Sequence, residues 1–405
     1  MVARLVQRIR RRMGGGARLL RYALRPRLKR SGRGQRARRF LLVACYDPWC
    51  PGSQREGAEL IVRYSRHRFD LLNLCGLLPW GPVRIPGCVR LRDYEGVLLH
   101  SSLPYPPEML RNLDQGRREK LADFPGLKIV AKQDEQADVH GLVDFLRETG
   151  VQLLLTCVSP QDAATVYPPS RLPGLQLVHV RAGYVMPSMR AGGPSQDDPR
   201  PIDIGYRGSA APAAFGRLCY EKRQIGEVFA QICAERNWKA DISSRPEDRI
   251  YGPHWLRFLG RAKATLGVES GGSVFDFTGE IHRQCEAYQQ RHPAADFETV
   301  HQLFLAPHEG RIHYRQVAPR HFEAAACRTL QILYEGEYSG IFQPFRHYLP
   351  LKRDLGNLDE VAARFLDPAE RRRITERAYG EIIRSDACAY ESFVKQLDDA
   401  IDALS

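Results

Sequence analysis

The residues best placed to do chemistry lie between Val317 and Pro344, where a short helix is followed by a strand. Pro319 suits the first turn of a helix, because its missing N–H would have no partner there. Arg320 lies in the same turn, where the helix dipole disfavours a positive charge unless an anion binds beside it. Glu323 follows one turn later. Backbone N–H groups at a helix start bind phosphates, and a nearby carboxylate can accept hydrogen bonds from ribose hydroxyls. The pattern predicts a nucleotide-binding helix, with an ordinary amphipathic helix packed on a sheet as the alternative.

Two predicted strand ends offer further groups to the same ligand. Glu335 follows the strand of the helix–strand unit, in the loop EGEYSG. Arg207 ends the predicted strand 202–208, where a guanidinium can pair with a diphosphate. The alternatives are a solvated loop acid for Glu335 and a structural ion pair for Arg207. Lys222 and Arg223 follow in a predicted helix and are interpreted as part of its solvated face.

A glycine-rich turn follows another predicted strand, in ATLGVESGGSVFDF (264–277). Its small residues allow backbone amides to approach a ligand. The candidate ligand-binding residues of the turn are Gly271, Gly272 and Ser273. Glu269 and Asp276 flank the turn and are predicted catalytic acids. The alternative is a tight connection with two surface acids.

Polar residues also end strands in the first half of the chain. Asp47, in YDPWCPGS, is a predicted general base for an acceptor hydroxyl. Asp134 and Glu135 follow another strand, and His100 ends VLLH. The alternative interpretations are turn and helix-cap acids for the carboxylates and a residue at the core edge for the histidine.

Apolar strands alternate with helical segments along two stretches of the chain, an order typical of doubly wound α/β domains. The predicted strands of the first stretch are 39–46, 69–74, 94–101, 127–132, 151–158 and 175–180. Those of the second stretch are 202–208, 238–243, 264–270 and 329–334. Ligands bind beyond the carboxyl ends of such strands, so two facing domains would form a cleft between them.

The same pattern predicts four segments. Residues 1–38 form a basic tail, either amphipathic or disordered. Residues 39–190 form an acceptor-binding Rossmann-like domain, and residues 201–385 form a second Rossmann-like domain that binds the nucleotide. A C-terminal helix occupies residues 386–405. Residues 181–201, rich in glycine, proline, serine and aspartate, are the predicted linker.

Positive charge is concentrated at the N-terminus. The chain of 405 residues has a formal net charge of +13, and residues 1–39 contain fifteen Arg and Lys but no Asp or Glu. The remainder holds 45 basic and 47 acidic residues, which argues against a nucleic-acid enzyme with a basic groove. The basic segment suits an anionic membrane surface, with a solvated arm as an equal alternative. No apolar run is long enough to span a bilayer, and we expect no secretory signal.

Several common catalytic motifs are missing from the sequence. There is no Walker A pattern, no G-x-G-x-x-G after the first strand, no G-x-S-x-G elbow and no D-x-D pair. The ten cysteines include no C-x-x-C pair, so neither a zinc ribbon nor a thioredoxin-type motif is predicted. Free thiols in a reducing cytosol are the expected state.

Several segments together resemble bacterial GT-B glycosyltransferases of group 1, of the spore-maturation-protein-like type. They are KQDE, LLLTCVSP, IDIGYRG, the run 241–281 and the run 319–361. The resemblance covers residues 39–400. It implies a two-domain GT-B fold, a nucleotide-sugar donor in the C-terminal domain and an acceptor on the N-terminal domain. It also implies that no catalytic metal or other cofactor is used.

Glu323 in EAAAC matches a glutamate that contacts the donor ribose in the E-A-x-A-C-G motif of this group. The group has a second glutamate eight positions earlier, where this chain has Arg315, and Arg328 replaces the glycine after the cysteine. Two predictions therefore stand. The first is a glycosyltransferase that moves a sugar to a hydroxyl of a cell-surface glycan or lipid-linked acceptor. The second is a non-catalytic protein that kept the fold for binding or scaffolding.

The glycosyltransferase prediction also includes a location in the cell and a set of partners. We expect a cytoplasmic protein that sits peripherally on the inner face of the membrane through residues 1–38. Its partners would be the nucleotide sugar and the acceptor, and no nucleic acid. Removing residues 1–38 is expected to release the protein from anionic vesicles.

Overall fold

The computed structural model describes residues 27–29, 38–46, 52–74, 89–103, 121–191, 198–209 and 211–404. Asp47 and most of the predicted tail lie outside these residues. In the described part of the chain, the strands form a seven-stranded sheet, a five-stranded sheet and a two-stranded ribbon. None of the described helices has the length and hydrophobicity needed to cross a bilayer.

The first sheet contains seven strands in the order β1-β3-β2-β4-β5-β6-β7. Their bounds are β1 Arg27–Lys29, β2 Arg39–Ala44, β3 Arg68–Asn73, β4 Gly96–Leu99, β5 Leu127–Ala131, β6 Leu153–Thr156 and β7 Gln176–His179. All neighbouring pairs are parallel except β1 with β3. Central parallel strands are covered on both faces, which explains why they read as continuous apolar runs. The edge strand β1 lies within the predicted basic tail, where the composition did not predict a strand.

The second sheet contains five parallel strands in the order β14-β13-β10-β8-β9. Their bounds are β8 Ile202–Arg207, β9 Ala240–Ser243, β10 Ala262–Gly267, β13 Leu330–Tyr334 and β14 Leu349–Leu351. A short antiparallel ribbon joins β11 Ser270–Gly271 to β12 Arg315–Gln316. The two parallel sheets confirm the predicted α/β class, whereas β14 was not among the predicted strands.

The helices cover both sheets and connect their strands. In the first half they are α1 Gly52–Tyr64, α2 Val139–Thr149, α3 Ala163–Val166 and α4 Pro187–Arg190. In the second half they are α5 Arg217–Glu235, α6 Pro253–Gly260, α7 Glu280–Arg291, α8 Phe297–Val300, α9 Pro319–Ala326, α10 Leu358–Leu366, α11 Pro368–Ala378 and α12 Tyr390–Ala403.

Helix α9 ends at a position that normally calls for glycine. Arg328, just beyond the helix, has a positive φ of 49°, in the left-handed region that L-residues rarely adopt. Its guanidinium lies 3.7 Å from the ring centre of Tyr379 and donates a 2.9 Å hydrogen bond to Glu376. These contacts hold an arginine in a conformation that costs less for glycine. They explain how the chain tolerates its departure from the motif glycine.

The C-terminal helix α12 returns to the first sheet and packs on α1. Asp398 of α12 is buried, and it accepts hydrogen bonds from the Ser65 hydroxyl (2.5 Å) and the Arg66 backbone N–H (2.8 Å). Between the two sheets, the Asp276 N–H donates to the Gln136 carbonyl and the Val139 N–H donates to the Asp276 carbonyl. One continuous core also includes apolar residues of both halves. The predicted domain boundaries stay a prediction.

Candidate functional site

A cleft of about 710 Å³ lies between the carboxyl ends of the two sheets. Its first-domain wall includes His100 after β4 and Lys132 after β5. Its second-domain wall includes Val268 after β10 and the start of α9 at Pro319. The cleft therefore forms where the alternation of strands and helices predicted a ligand site.

The cleft is strongly basic although the chain beyond the tail is nearly neutral. The basic side chains that line it are Arg55, Lys132, Arg181, Arg207, Lys222, Arg249 and Arg320. The described lining residues include two carboxylates, Glu56 and Glu323. Low-dielectric walls with an excess of one charge concentrate ligands of the opposite charge. The arrangement suits an anionic ligand.

Glu323 faces this cleft from the first turns of α9, as the sequence predicted. The Trp255 indole N–H of α6 donates a 2.7 Å hydrogen bond to Oε2 of Glu323. Burial raises the pKa of the Glu323 carboxyl, and the Trp255 bond and the charge of Arg320 oppose that rise. In the described residues, Oε1 of Glu323 has no hydrogen-bond partner, so it can accept a bond from a ligand hydroxyl.

Arg320 and Lys222 bring positive charge to the same wall of the cleft. Nη1 of Arg320 donates to the Arg207 carbonyl at 3.3 Å, and Nζ of Lys222 lies 3.7 Å from Sγ of Cys219. Neither cation forms an ion pair with a carboxylate of the described residues. Both can therefore neutralise a phosphate without first breaking a salt bridge.

The interpretation of Lys222 as part of a solvated helix face was wrong. Lys222 lines the cleft, whereas its neighbour Arg223 is exposed and pairs with Glu227 at 2.5 Å. The spacing of buried residues along the helix could have distinguished Lys222 from Arg223. Lys222 lies three residues after the buried Cys219 and three before the buried Ile225, on the inward side of α5.

Arg207 lines the cleft, but its guanidinium already has several partners. It donates to the carbonyls of Tyr206, Asp241 and Asp248, and forms a 2.7 Å ion pair with the Asp241 carboxylate. It also lies 4.5 Å from the ring centre of Phe258. A structural role for Arg207 accounts for this arrangement, and its binding to a diphosphate stays a prediction.

The glycine-rich turn packs against protein instead of opening to the cleft. Gly271 has a φ of 104°, and a Cβ there would lie 2.0 Å from the Tyr314 carbonyl oxygen. A Cβ on Gly272 would lie 3.1 Å from Gln136, a residue of the first domain. The Ser273 hydroxyl accepts the Leu218 N–H at 3.0 Å. Of this turn only Ser270 lines the cleft, so the structure places the predicted ligand-binding glycines at a packing contact.

The two flanking acids are buried and bonded to backbone, and neither lines the cleft. Glu269 is 2% exposed and accepts the N–H groups of Glu337 (3.1 Å) and Tyr338 (2.8 Å). The Asp276 carboxylate accepts the N–H groups of Thr278 (3.3 Å) and His282 (2.8 Å) near the start of α7. These contacts give both residues structural functions, and their assignment as catalytic acids rests on the sequence alone.

The remaining predicted residues are spread more widely. Glu335 is exposed after β13 and does not line the cleft. Asp47 lies outside the described residues.

His100 lines the cleft, and its Nδ1 accepts the Ser102 N–H at 3.1 Å, which leaves the proton on Nε2. Burial lowers the pKa of His100 to about 4, so the ring is neutral near pH 7.

Glu135 is buried at the centre of a hydrogen-bonded cluster beneath the first-domain wall. Its Oε2 accepts the Cys157 N–H (2.8 Å) and the Tyr314 hydroxyl (3.2 Å), and its Oε1 accepts the Tyr167 hydroxyl (2.5 Å). The Thr156 hydroxyl also donates to Oε1. Burial raises the pKa of Glu135, against the effect of these donors. Because Tyr314 belongs to the second half of the chain, the cluster joins the two domains.

Comparison with known proteins finds a similarity in the second half of the chain. Residues 221–396 match the family described as glycosyl transferase-like. The match covers less than half of the chain, and it supports the predicted glycosyltransferase class. None of the curated proteins compared matches the chain.

Solved structures are similar to the chain over most of its length, at low sequence identity. An alpha-glucosyltransferase in complex with UDP-glucose and DNA containing an abasic site matches with a TM-score of 0.50 and 10% identity, over 90% of this chain and 99% of that one. Sucrose-phosphate synthase from Thermosynechococcus elongatus matches with a TM-score of 0.43 and 15% identity, over 91% of this chain and 99% of the synthase. TarM matches with a TM-score of 0.43 and 7% identity, over 75% of this chain and 54% of TarM. The chain therefore spans about half the length of TarM. The first of these structures confirms the predicted GT-B fold.

The described residues contain no group of three or more histidine, cysteine, aspartate or glutamate side chains placed to hold a metal ion. Six cysteines of the described residues are free thiols: Cys157, Cys219, Cys233, Cys285, Cys327 and Cys388. Independence from a metal or another cofactor stays a prediction.

Proposed function

We propose that the protein transfers a sugar from a nucleotide-sugar donor to a hydroxyl of a cell-surface glycan or lipid-linked acceptor. The observation that carries the proposal is the wall of the cleft around the start of α9. There Glu323 offers a free carboxylate oxygen, and Arg320 and Lys222 offer positive charge without a carboxylate partner among the described residues. The glycosyl transferase-like match covers the same wall.

The chemistry of sugar transfer needs what this wall offers. As the bond to the anomeric carbon breaks, negative charge grows on the diphosphate leaving group. Fixed cations and helix N–H groups stabilise that charge without rearranging at the moment of reaction. We assign the diphosphate to Arg320 and Lys222, and the ribose to Glu323. The alpha-glucosyltransferase that shares the fold was solved with UDP-glucose, so UDP sugars are the first donors to test.

The chain departs from the sequence pattern of the spore-maturation-protein-like enzymes at Arg315 as well as at Arg328. Arg315, which replaces the upstream glutamate of that group, pairs with the buried Glu269 at 3.3 Å. The pair restores a carboxylate near the altered position, but Glu269 is also bonded to backbone N–H groups. This observation is what favours the second candidate function, a protein that binds nucleotide sugars without turnover.

An assay of donor hydrolysis separates the two candidate functions. The full chain is incubated with UDP-, GDP- and ADP-sugars, and the release of the nucleoside diphosphate is followed. A transferase is expected to release nucleotide slowly from its own donor even without an acceptor. Tight binding of a donor, with no hydrolysis of it and no transfer to glycan acceptors, would instead favour the non-catalytic protein.

Changing Glu323 to glutamine is expected to lower the affinity for the nucleoside diphosphate. The carboxylate bond to ribose is charge-assisted, and such bonds are about twice as strong as neutral ones. Titration calorimetry with UDP, GDP and ADP measures the effect. Glu227→Gln, on the exposed side of α5, is the matched control. Equal binding of all three nucleotides by the wild type and Glu323→Gln would refute the assignment of the ribose site.

The proposed location, cytoplasmic and peripheral on the inner membrane face, rests on the basic N-terminal segment. Deleting residues 1–26 removes eight arginines and keeps the strand β1. We expect the full chain to co-sediment with vesicles containing phosphatidylserine, and the shortened chain to remain in the supernatant. Each basic residue near an anionic surface contributes about 1 kcal/mol of attraction. Neutral phosphatidylcholine vesicles are the control, and equal sedimentation of both chains with anionic vesicles would contradict the proposal.

A further inference from the structure

The C-terminal helix supplies part of the first-domain wall of the cleft. Tyr390 and Phe393, in the first turns of α12, both line it. Backbone hydrogen bonds fix the start of this helix against the first domain. The Val185 N–H donates to the Cys388 carbonyl at 2.8 Å, and the Tyr390 N–H donates to the Val185 carbonyl at 3.0 Å. These bonds hold Tyr390 at the cleft.

The Tyr390 hydroxyl has no hydrogen-bond partner in the described part of the chain. The residue is only 6% exposed, but its hydroxyl oxygen is not completely enclosed by protein. The buried hydroxyls of Tyr206 and Tyr338, by contrast, donate to carbonyl oxygens at 2.7 and 2.6 Å. A buried tyrosine hydroxyl usually has a partner, because an unpaired polar group loses the hydrogen bonds that it made with water. Burial raises the pKa of the Tyr390 phenol, so it keeps its proton near pH 7 and can both donate and accept.

Helix α1 leaves room for this hydroxyl. Gly57 lies inside the helix, and a Cβ there would be 2.9 Å from the Tyr390 oxygen and 3.3 Å from the ring carbon that bears it. Glycine makes a helix interior less stable than alanine does, so the space that it leaves explains its place here. Arg55 and Glu56, just before Gly57, line the cleft. The hydroxyl therefore lies against the part of α1 that faces the cleft.

Other aromatic side chains hold the Tyr390 ring in place. Its centre lies 5.0 Å from that of Phe393 and 5.9 Å from that of Tyr184. The Arg181 guanidinium in turn lies 4.6 Å from the centre of the Tyr184 ring. A ring that is packed in this way presents its hydroxyl in one direction, and such a preorganised group loses little entropy when a ligand binds.

The surroundings of the hydroxyl combine apolar and polar groups. Met186 and Met189 line the cleft, and so do Ser188 and Glu56, which are joined by a 2.6 Å hydrogen bond. Ligand sites commonly have such apolar walls with a few placed polar groups. A sugar ring has apolar C–H faces and a rim of hydroxyl groups, so it suits this surface. A lipid chain would leave the Tyr390 hydroxyl unpaired.

We propose that Tyr390 is an acceptor-binding residue, whose hydroxyl forms a hydrogen bond with a hydroxyl of a sugar ring of the acceptor. The sugar would lie between the first turn of α12 and the start of α1, across the cleft from the donor site proposed at α9. This inference rests on the proposed function, because it takes the acceptor to bind at the first-domain wall. It goes further by assigning an acceptor contact to the last helix of the chain and by naming a sugar as the group bound there.

The test uses the full chain saturated with whichever of UDP, GDP and ADP binds most tightly. The probes are the methyl glycosides of glucose, galactose, mannose and N-acetylglucosamine, titrated by ligand-observed NMR. We expect the wild type to bind at least one of them. Tyr390→Phe should bind that glycoside about three- to tenfold more weakly, because it lacks only the hydroxyl. Its nucleotide affinity should stay within about twofold of the wild type, because Tyr390 lies on the wall opposite the proposed donor site.

Tyr338→Phe is the matched control. Tyr338 is also buried, but its hydroxyl donates to the Tyr334 carbonyl at 2.6 Å and it does not line the cleft. This variant should bind the glycoside like the wild type and melt at a lower temperature. Tyr390→Phe should melt no lower than the wild type, because it removes a hydroxyl that has no partner in the described protein. A purely structural hydroxyl at Tyr390 would instead give a lower melting temperature and unchanged binding.

Three results would overturn the inference. One is that none of the four glycosides binds to the nucleotide-bound wild type, and another is that Tyr390→Phe binds the glycoside as well as the wild type does. In both cases tight nucleotide binding would leave the proposed donor site standing. The third is that no nucleotide binds to any form of the protein, which would refute the donor site together with this inference.

Discussion

Replacing Lys222 with methionine should weaken the binding of a nucleoside diphosphate about ten- to a hundredfold, equivalent to about 1.5 to 3 kcal/mol. Lys222 lines the cleft and has no carboxylate partner among the described residues, so its charge is available to a phosphate. Methionine keeps most of the side-chain volume and removes the charge. Affinity for the nucleoside without phosphates should stay nearly unchanged, because the effect acts on the diphosphate.

The adjacent residue provides a control for the same helix. Arg223→Met also removes one positive charge from α5, but Arg223 is exposed and pairs with Glu227. Exposed ion pairs contribute little, so this variant should bind the nucleotide like the wild type. Calorimetric titration of both variants measures the difference. Equal losses in the two variants would show a general electrostatic effect and contradict a direct contact at Lys222.

Replacing Glu135 with alanine should lower the free energy of unfolding by about 3 to 5 kcal/mol. The change leaves the buried Cys157 N–H and the hydroxyls of Thr156, Tyr167 and Tyr314 without their acceptor. Unpaired polar groups in a protein interior cannot recover the hydrogen bonds that they made with water. The loss should affect both domains, because Tyr314 belongs to the second.

Glutamine at the same position separates the bonds from the charge. The hydroxyls can rotate and accept from its amide group, and the amide oxygen can still accept from Cys157. Glu135→Gln should therefore be clearly more stable than Glu135→Ala in urea unfolding followed by circular dichroism. A loss of less than about 1 kcal/mol for the alanine variant would contradict the structural role of the cluster.

The sequence predicted the parts of the fold that depend on local pattern. Apolar runs such as 127–132 became buried strands because parallel strands are covered on both faces. Helix α9 begins at Pro319, where its fixed φ and missing N–H suit a helix start. The sequence could place Glu323 and Arg320 at the ligand site because both lie near the start of that helix, and the start faces the carboxyl end of the sheet.

The rest of the site depends on contacts between distant parts of the chain. Gly271 is needed because the Tyr314 backbone, more than forty positions away, passes too close for a Cβ. Asp276 accepts bonds from N–H groups that follow it, while its backbone pairs with residues 136–139. A turn with acids on both sides has the same local pattern whether it contacts a ligand or another loop. Local sequence could not separate these cases.

The net charge of the chain also could not predict the basic cleft, because it contains no information on where the charges lie. Beyond residue 39 the basic and acidic residues nearly balance, yet most of the charged side chains that line the described cleft are basic. Many acids, such as Asp402, pair with arginines elsewhere on the surface. Composition sums these charges without their positions, so it could not show a basic pocket.

The central claim is that the start of α9 and the adjoining face of α5 bind the diphosphate and ribose of a nucleotide sugar. A crystal structure of the full chain with the nucleoside diphosphate that binds most tightly tests it directly. We expect phosphate oxygens within hydrogen-bonding distance of Arg320 and Lys222, and a ribose hydroxyl bonded to Glu323. A nucleotide bound elsewhere, with these three side chains still contacting only protein and water, would contradict the claim.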